Sequence, residues 1–216
     1  MVSAPVRKLL IVGIGDSTTA GTPGFQSPIE APPDGRGNVE SQYAHWISRL
    51  HDDWTVLNRG VNGERTDEVR ERFRRDALEE HPDYVILLAG VNDIYQGHAP
   101  EAVERNLGPM YAEAIDAEIV PVAASVLPFN SASDRDTVAI RELNHWIRSL
   151  AATLGIPFCD TARSVADPEN PERLRGSPDG LHPDVAGYRR MGESLAATIE
   201  AHRATRVPKT RNPGSP

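Results

Sequence analysis

A single cysteine, Cys159, in 216 residues excludes a disulfide framework and any metal site built from several thiolates. Long apolar runs are missing as well. The longest, Tyr84 to Gly90, falls far short of the ~20 residues a membrane-spanning helix needs. After Arg7 and Lys8 the apolar stretch lasts only from Leu9 to Ile14, and no small-residue cleavage site follows. The secretory-leader pattern is therefore absent and a cytoplasmic location is expected. Positive charge is scarce: 23 basic against 31 acidic residues give a net charge of −8. Nucleic acid and anionic membranes both attract a positive field, so neither is expected as a partner. The bases that exist gather at the end, where Arg203, Arg206, Lys209 and Arg211 stand with no acid among Pro208, Pro213 and Gly214. This composition predicts one domain over residues 1–202 and a disordered basic tail over 203–216.

What the sequence does have is alternation. Short apolar or β-branched runs at Lys8–Ile14, Thr55–Asn58, Tyr84–Ala89, Ile119–Ser125 and Pro157–Cys159 read as strands. Amphipathic stretches at Glu40–His51, Thr66–Glu80, Pro100–Ala117, Arg135–Leu154 and Pro183–His202 read as helices, with Thr66 placed to cap the second. Five strands alternating with five helices predict a three-layer α/β/α sandwich around a five-stranded parallel sheet, in the order 2-1-3-4-5. Ligands in such sheets bind outside the carboxyl ends of the strands.

Those ends carry the chemistry. Gly15-Asp16-Ser17-Thr18 follows the first strand, Asn62-Gly63 the second, and Gly90-Val91-Asn92-Asp93 the third. Asp179-Gly180-Leu181-His182-Pro183 precedes the last helix. Acyl transfer needs a nucleophile, a base, a group that orients the base, and donors for the developing oxyanion. Ser17 leaves a buried strand through a turn of small residues and suits the first role. His182, in a turn before a proline, suits the second. Asp179 lies one turn earlier and can hold the far ring nitrogen, with Asp184 as the competing acid. The Ser17 and Gly63 N–H groups and the Asn92 amide supply three donors.

Four motifs in this order, from Gly15 to Pro183, resemble the SGNH hydrolases, the GDSL esterase/lipase family. The resemblance implies a flavodoxin-like α/β/α fold and a serine esterase needing no cofactor. Ser17 would be nucleophile and first oxyanion donor, Gly63 and Asn92 the other donors, His182 the base and Asp179 its orienting acid. It also implies a lipase- or esterase-type activity on a small-molecule ester. An acyltransferase or carbohydrate O-acyl esterase could use the same site, because all share one acyl-enzyme. Two departures stand out: Thr18 replaces the usual leucine or isoleucine, and a proline-rich segment from Thr22 to Val39 delays the first helix.

The segment from Gly21 to Val39 leaves the Ser17 turn directly and reads as structureless, so it is expected to form one wall of the substrate groove, with Phe25 or Ile29 touching the ester, unless it is a mere surface excursion. The acidic body favours neutral esters. A dinucleotide site is the rival reading of Gly13-Ile14-Gly15. It fails on Thr18, where the fingerprint needs a third glycine, and on the lack of an acid after Asn58. No His-Glu-x-x-His and no paired cysteines occur, so no metal is expected. Ser125, Cys159 and the other six histidines read as structural, and the sequence carries no signal of oligomeric state.

Overall fold

The computed structural model describes residues 8–206. Its first half runs β1 (Leu9–Gly15), α1 (Ser17–Ala20), β2 (Phe25–Gln26), β3 (Arg36–Gly37), α2 (Tyr43–Leu50), β4 (Trp54–Gly60), α3 (Thr66–Asp76) and β5 (Tyr84–Leu88). The rest runs α4 (Val91–Tyr95), α5 (Pro100–Asp116), β6 (Val120–Ala124), α6 (Asp134–Leu154), β7 (Phe158–Cys159), α7 (Thr161–Val165) and α8 (Val185–Arg206).

The main sheet is parallel and ordered β4-β1-β5-β6-β7, which is the expected 2-1-3-4-5 once its strands are counted along the chain. Successive side chains of a strand point to opposite faces, and here both faces are covered. Val12, Ile14, Val85, Leu87 and Ala123 pack against α3, α5 and α6 through Phe73, Leu107 and Leu143. Ile11, Ile86, Leu88 and Val122 face the other way, onto α2 and α8, where Tyr43, Ile47, Tyr188 and Leu195 are buried. The ends of β1, β4 and β5 therefore sit between two dry layers. A Cβ at Gly15 would lie 1.8 Å from the Leu88 carbonyl oxygen, so only glycine lets the chain turn there.

Several boundaries differ from expectation. The Thr22–Val39 segment is not structureless: β2 and β3 pair antiparallel as a small hairpin. A single-turn 3₁₀ helix at Val39–Ser41 precedes α2. The predicted helix Thr66–Glu80 stops at Asp76, where Ala77 leaves helical geometry, and resumes as one 3₁₀ turn at Leu78–Glu80. Thr66 does not cap α3 but is its first residue; its N–H and hydroxyl both donate to Asp93, at 3.0 and 2.7 Å. Helix α8 continues to Arg206, so Arg203 and Arg206 belong to its last turn and not to a tail. The rest of the predicted tail, with Lys209 and Arg211, lies outside the described residues, as does Arg7. No described helix is long and apolar enough to cross a membrane.

Candidate active site

Asp16 caps α1. Its Oδ1 accepts from the Thr18 N–H at 2.9 Å and from the Thr18 hydroxyl at 2.6 Å. This places Ser17 at the first helical position, where its N–H needs no intrahelical partner. Ser17 is only 3% exposed, so its hydroxyl sits at the floor of a cavity and not on an open turn. Its Oγ is 2.9 Å from His182 Nε2. On the far side of the ring, His182 Nδ1 is 2.7 Å from Asp179 Oδ2. A carboxylate at Nδ1 assigns the proton there and leaves Nε2 to accept from Ser17.

The turn that carries the pair is tied to itself. Asp179 Oδ1 accepts from the N–H groups of Leu181 and His182 at 2.9 and 2.8 Å. The Ser177 hydroxyl donates to the His182 carbonyl at 2.6 Å and accepts from the Gly180 N–H. Burial pushes the Asp179 carboxyl up. The His182 ring and the two N–H donors outweigh it and hold the carboxyl below its ordinary value. Asp184, the competing acid, instead accepts from the Gly187 N–H at 2.7 Å and so braces the start of α8.

Asn92 shares the cavity with Ser17, and so does Asn62, the residue before Gly63. One Asn92 amide hydrogen goes to the Glu64 carbonyl at 2.9 Å, which sets the amide plane and leaves the second hydrogen available. Gly63 sits at φ +81°. A Cβ there would touch nothing, so the glycine is needed for its backbone and not for space. A cavity of about 140 Å³ opens beside Ser17, Asn92 and His182, walled by Val91, Tyr95, Phe129 and Leu181.

Phe25 and Ile29 do not reach that cavity. Phe25 is 4% exposed and packs inside its own hairpin against Gly35, while Ile29 faces solvent at 37%. Phe25 instead lines a neighbouring groove that shares Asn62 with the cavity. Among the described residues no cluster of three or more histidines, cysteines or carboxylates has metal-binding geometry. Ser125 and Cys159 are buried and engaged elsewhere: Ser125 Oγ accepts from the Ala162 N–H, and Cys159 Sγ lies 3.3 Å from Ser194 Oγ.

Residues 14–190 match the GDSL-like lipase/acylhydrolase family, across most of the chain. The chain belongs to this family. Among solved structures, a G-D-S-L family protein from Desulfitobacterium hafniense DCB-2 is similar at 27% identity and TM-score 0.73, over 88% of this chain and 98% of that one. A GDSL-like lipase from Bacteroides thetaiotaomicron aligns at 23% identity and TM-score 0.68, over 93% of each chain. Est24, a carbohydrate acetylesterase from Sinorhizobium meliloti, aligns at 17% identity and TM-score 0.71, over 90% of this chain and all of that one. No curated protein matches the chain.

The structure of this GDSL-family hydrolase adds a residue that motif reading missed. Arg72, on α3 and almost fully buried, donates to the Gly15 carbonyl at 3.0 Å and to the Arg59 carbonyl at 2.8 Å. Its guanidinium also pairs with Glu64 at 2.6 Å and Asp76 at 3.3 Å. One side chain thus holds the end of β1 before Ser17, the end of β4 before Gly63, and the residue whose carbonyl orients Asn92. The signal was present but faint: Arg72 falls on the apolar stripe of its helix, with Val69, Phe73 and Asp76 at helical spacing.

Asp16 carries a stability consequence. Burial pushes its carboxyl from 3.8 to about 6, against the opposing bonds from Thr18. From about pH 4 to 6 the folded chain keeps a proton that the unfolded chain has released, so this group lowers stability as pH rises through that window. The cost at neutral pH is at most ~3 kcal/mol. Asp16→Asn keeps an oxygen for both Thr18 bonds and removes the titration. Denaturant unfolding at about pH 4.5 and about pH 7.5 should show the variant gaining on the wild type at the higher pH. Parallel losses in both proteins would refute the assignment.

Proposed function

We propose that this chain is a serine esterase that cleaves short-acyl esters of neutral alcohols through an acyl-enzyme on Ser17. The observation that carries the reading is the continuous array from Ser17 Oγ through His182 to Asp179, with contacts of 2.9 and 2.7 Å at the carboxyl edge of the sheet. His182 Nε2 takes the Ser17 proton as Oγ attacks the ester carbonyl carbon, and Asp179 stabilises the imidazolium. Negative charge on the carbonyl oxygen meets the Ser17 N–H, the Gly63 N–H and the free Asn92 hydrogen. The carbon–alkoxy bond then breaks, and the alcohol leaves with the proton from His182. Water next yields a proton to His182 as its oxygen attacks the acyl carbon. Ser17 regains that proton, and the carboxylic acid departs.

The acyl size comes from the cavity. At about 140 Å³, walled by Val91, Tyr95, Phe129 and Leu181, it suits an acetyl or similar short group and not a long chain. The carbohydrate acetylesterases among the solved structures agree with that size, although at 17–18% identity they speak for the fold alone. The net charge of −8 disfavours anionic esters.

Steady-state hydrolysis of an aryl acetate tests the reading. Asn92→Ala should lower kcat by roughly 10²–10³ with a smaller effect on KM, because the amide meets charge that exists only in the transition state. A loss confined to KM would make Asn92 a substrate-binding residue, and an unaffected kcat would remove it from the oxyanion hole.

A further inference from the structure

An ester has two halves, and the cavity beside Ser17 has room for one. A second, polar groove of about 370 Å³ opens from the same rim. Two residues connect it to the site. Asn62 lines both spaces. Thr22, at the head of the groove, donates its N–H to the Ser17 carbonyl at 3.1 Å. We infer that this groove, between the β2–β3 hairpin and Asn62, is the leaving-group subsite, and that it takes a neutral polyhydroxylated alcohol such as a sugar. The inference rests on the esterase reading above and specifies its substrate class.

The groove's wall is built and not incidental. Gln26 and Arg36 are direct partners across the hairpin. Arg36 Nε and Nη2 both donate to Gln26 Oε1, at 3.1 and 2.7 Å. Arginine offers only donors, so the amide oxygen must face it and the Gln26 NH₂ must face away. Glu30 stands beside them. Its Oε1 accepts from the Asn62 N–H at 2.9 Å and its Oε2 from the Ser27 N–H at 3.1 Å, leaving lone pairs on both oxygens. The hairpin itself is anchored by the buried Phe25 ring and by Ser27 Oγ, which donates to the Gly60 carbonyl at 2.5 Å. Phe25 also lines the groove, so under this inference it stands beside the alcohol half of the ester and not beside the acyl half.

One wall therefore presents donors from Gln26 and Arg36 next to acceptors on Glu30. A hydroxyl group is both donor and acceptor, so a polyol uses the whole set. An anion would face the Glu30 carboxylate, and a cation would face Arg36. Pro23 and Phe25 supply the groove's apolar lining beside these polar groups, whereas the cavity beside Ser17 is walled mainly by apolar side chains, Val91, Phe129 and Leu181 among them. The groove's size lies within the ~300–1,000 Å³ usual for small-molecule sites.

The test is the ratio of kcat/KM for an acetylated monosaccharide to kcat/KM for an aryl acetate. In Gln26→Leu and in Arg36→Met the ratio should fall ~3–10-fold, and in the double variant by more than ~10-fold. Gln26→Glu keeps the bridge to Arg36 and replaces the donor with an acceptor, so it should lower the ratio even if the apolar variants disturb the hairpin. An unchanged ratio in a folded double variant and in Gln26→Glu would overturn the subsite. So would variants that alter the profile across aryl esters of increasing acyl length instead of the preference for the sugar, because the groove would then hold the acyl half. The parent reading fails differently: aryl acetate hydrolysis surviving in Ser17→Ala would sink it whatever the sugar ratio does.

Discussion

Ser17→Ala and His182→Ala should each lower kcat for an aryl acetate by ~10⁴–10⁶-fold, and the double variant should be no worse than either alone. The two side chains act as one unit. Without the hydroxyl there is nothing to acylate, and without the imidazole the hydroxyl keeps its proton. Residual turnover would come from the oxyanion donors and from substrate binding, which neither substitution removes. Ser17→Ala should leave the fold intact, because the Ser17 hydroxyl bonds within the described residues only to His182 Nε2, and the Asp16–Thr18 cap that shapes the turn stays in place. Thermal melting of the alanine variant checks that point. Full turnover in a well-folded Ser17→Ala would end the serine-esterase reading.

The second large effect belongs to Asp179. Asparagine at this position is nearly isosteric, but its NH₂ group can donate to His182 Nδ1. That would move the ring proton to Nε2, where it faces Ser17 Oγ and blocks proton transfer. The expected loss in kcat is ~10⁴-fold. The turn should also loosen somewhat, because Asp179 Oδ1 holds the N–H groups of Leu181 and His182. Asp184→Asn is the control. Asp184 braces the start of α8 through Gly187, so the substitution should affect stability more than turnover. A severe kinetic defect in Asp184→Asn beside a benign Asp179→Asn would reverse the assignment of the acid.

Much of this architecture was legible before any coordinates. The β1 and β5 runs are apolar on both faces, which only a strand covered twice can bury, and the motifs fall at successive strand ends. That placed Ser17, Asn92 and His182 along one sheet edge, and the structure brings the serine and histidine to 2.9 Å. The hairpin was not legible, because each of its strands is two residues long and its pairing depends on tertiary contacts. In a segment rich in proline, nothing local says which space an aromatic ring enters, and Phe25 lines the groove at the hairpin and not the cavity beside Ser17. Arg72 was invisible to motif reading because its role is to satisfy carbonyls that only the folded sheet presents. Thr18, which departs from the leucine or isoleucine usual after the serine, gained a reason from the structure, since its hydroxyl bonds the Asp16 carboxylate.

The most direct measurement is covalent labelling with a serine-directed aryl phosphonate, read by intact mass and then by peptide mapping. One label per chain is expected, on the peptide that carries Ser17, with loss of esterase activity in proportion to labelling. His182→Ala should slow the reaction strongly, because the imidazole that activates Ser17 is gone. A label on any other residue, or esterase activity that persists after Ser17 is fully modified, would contradict the account.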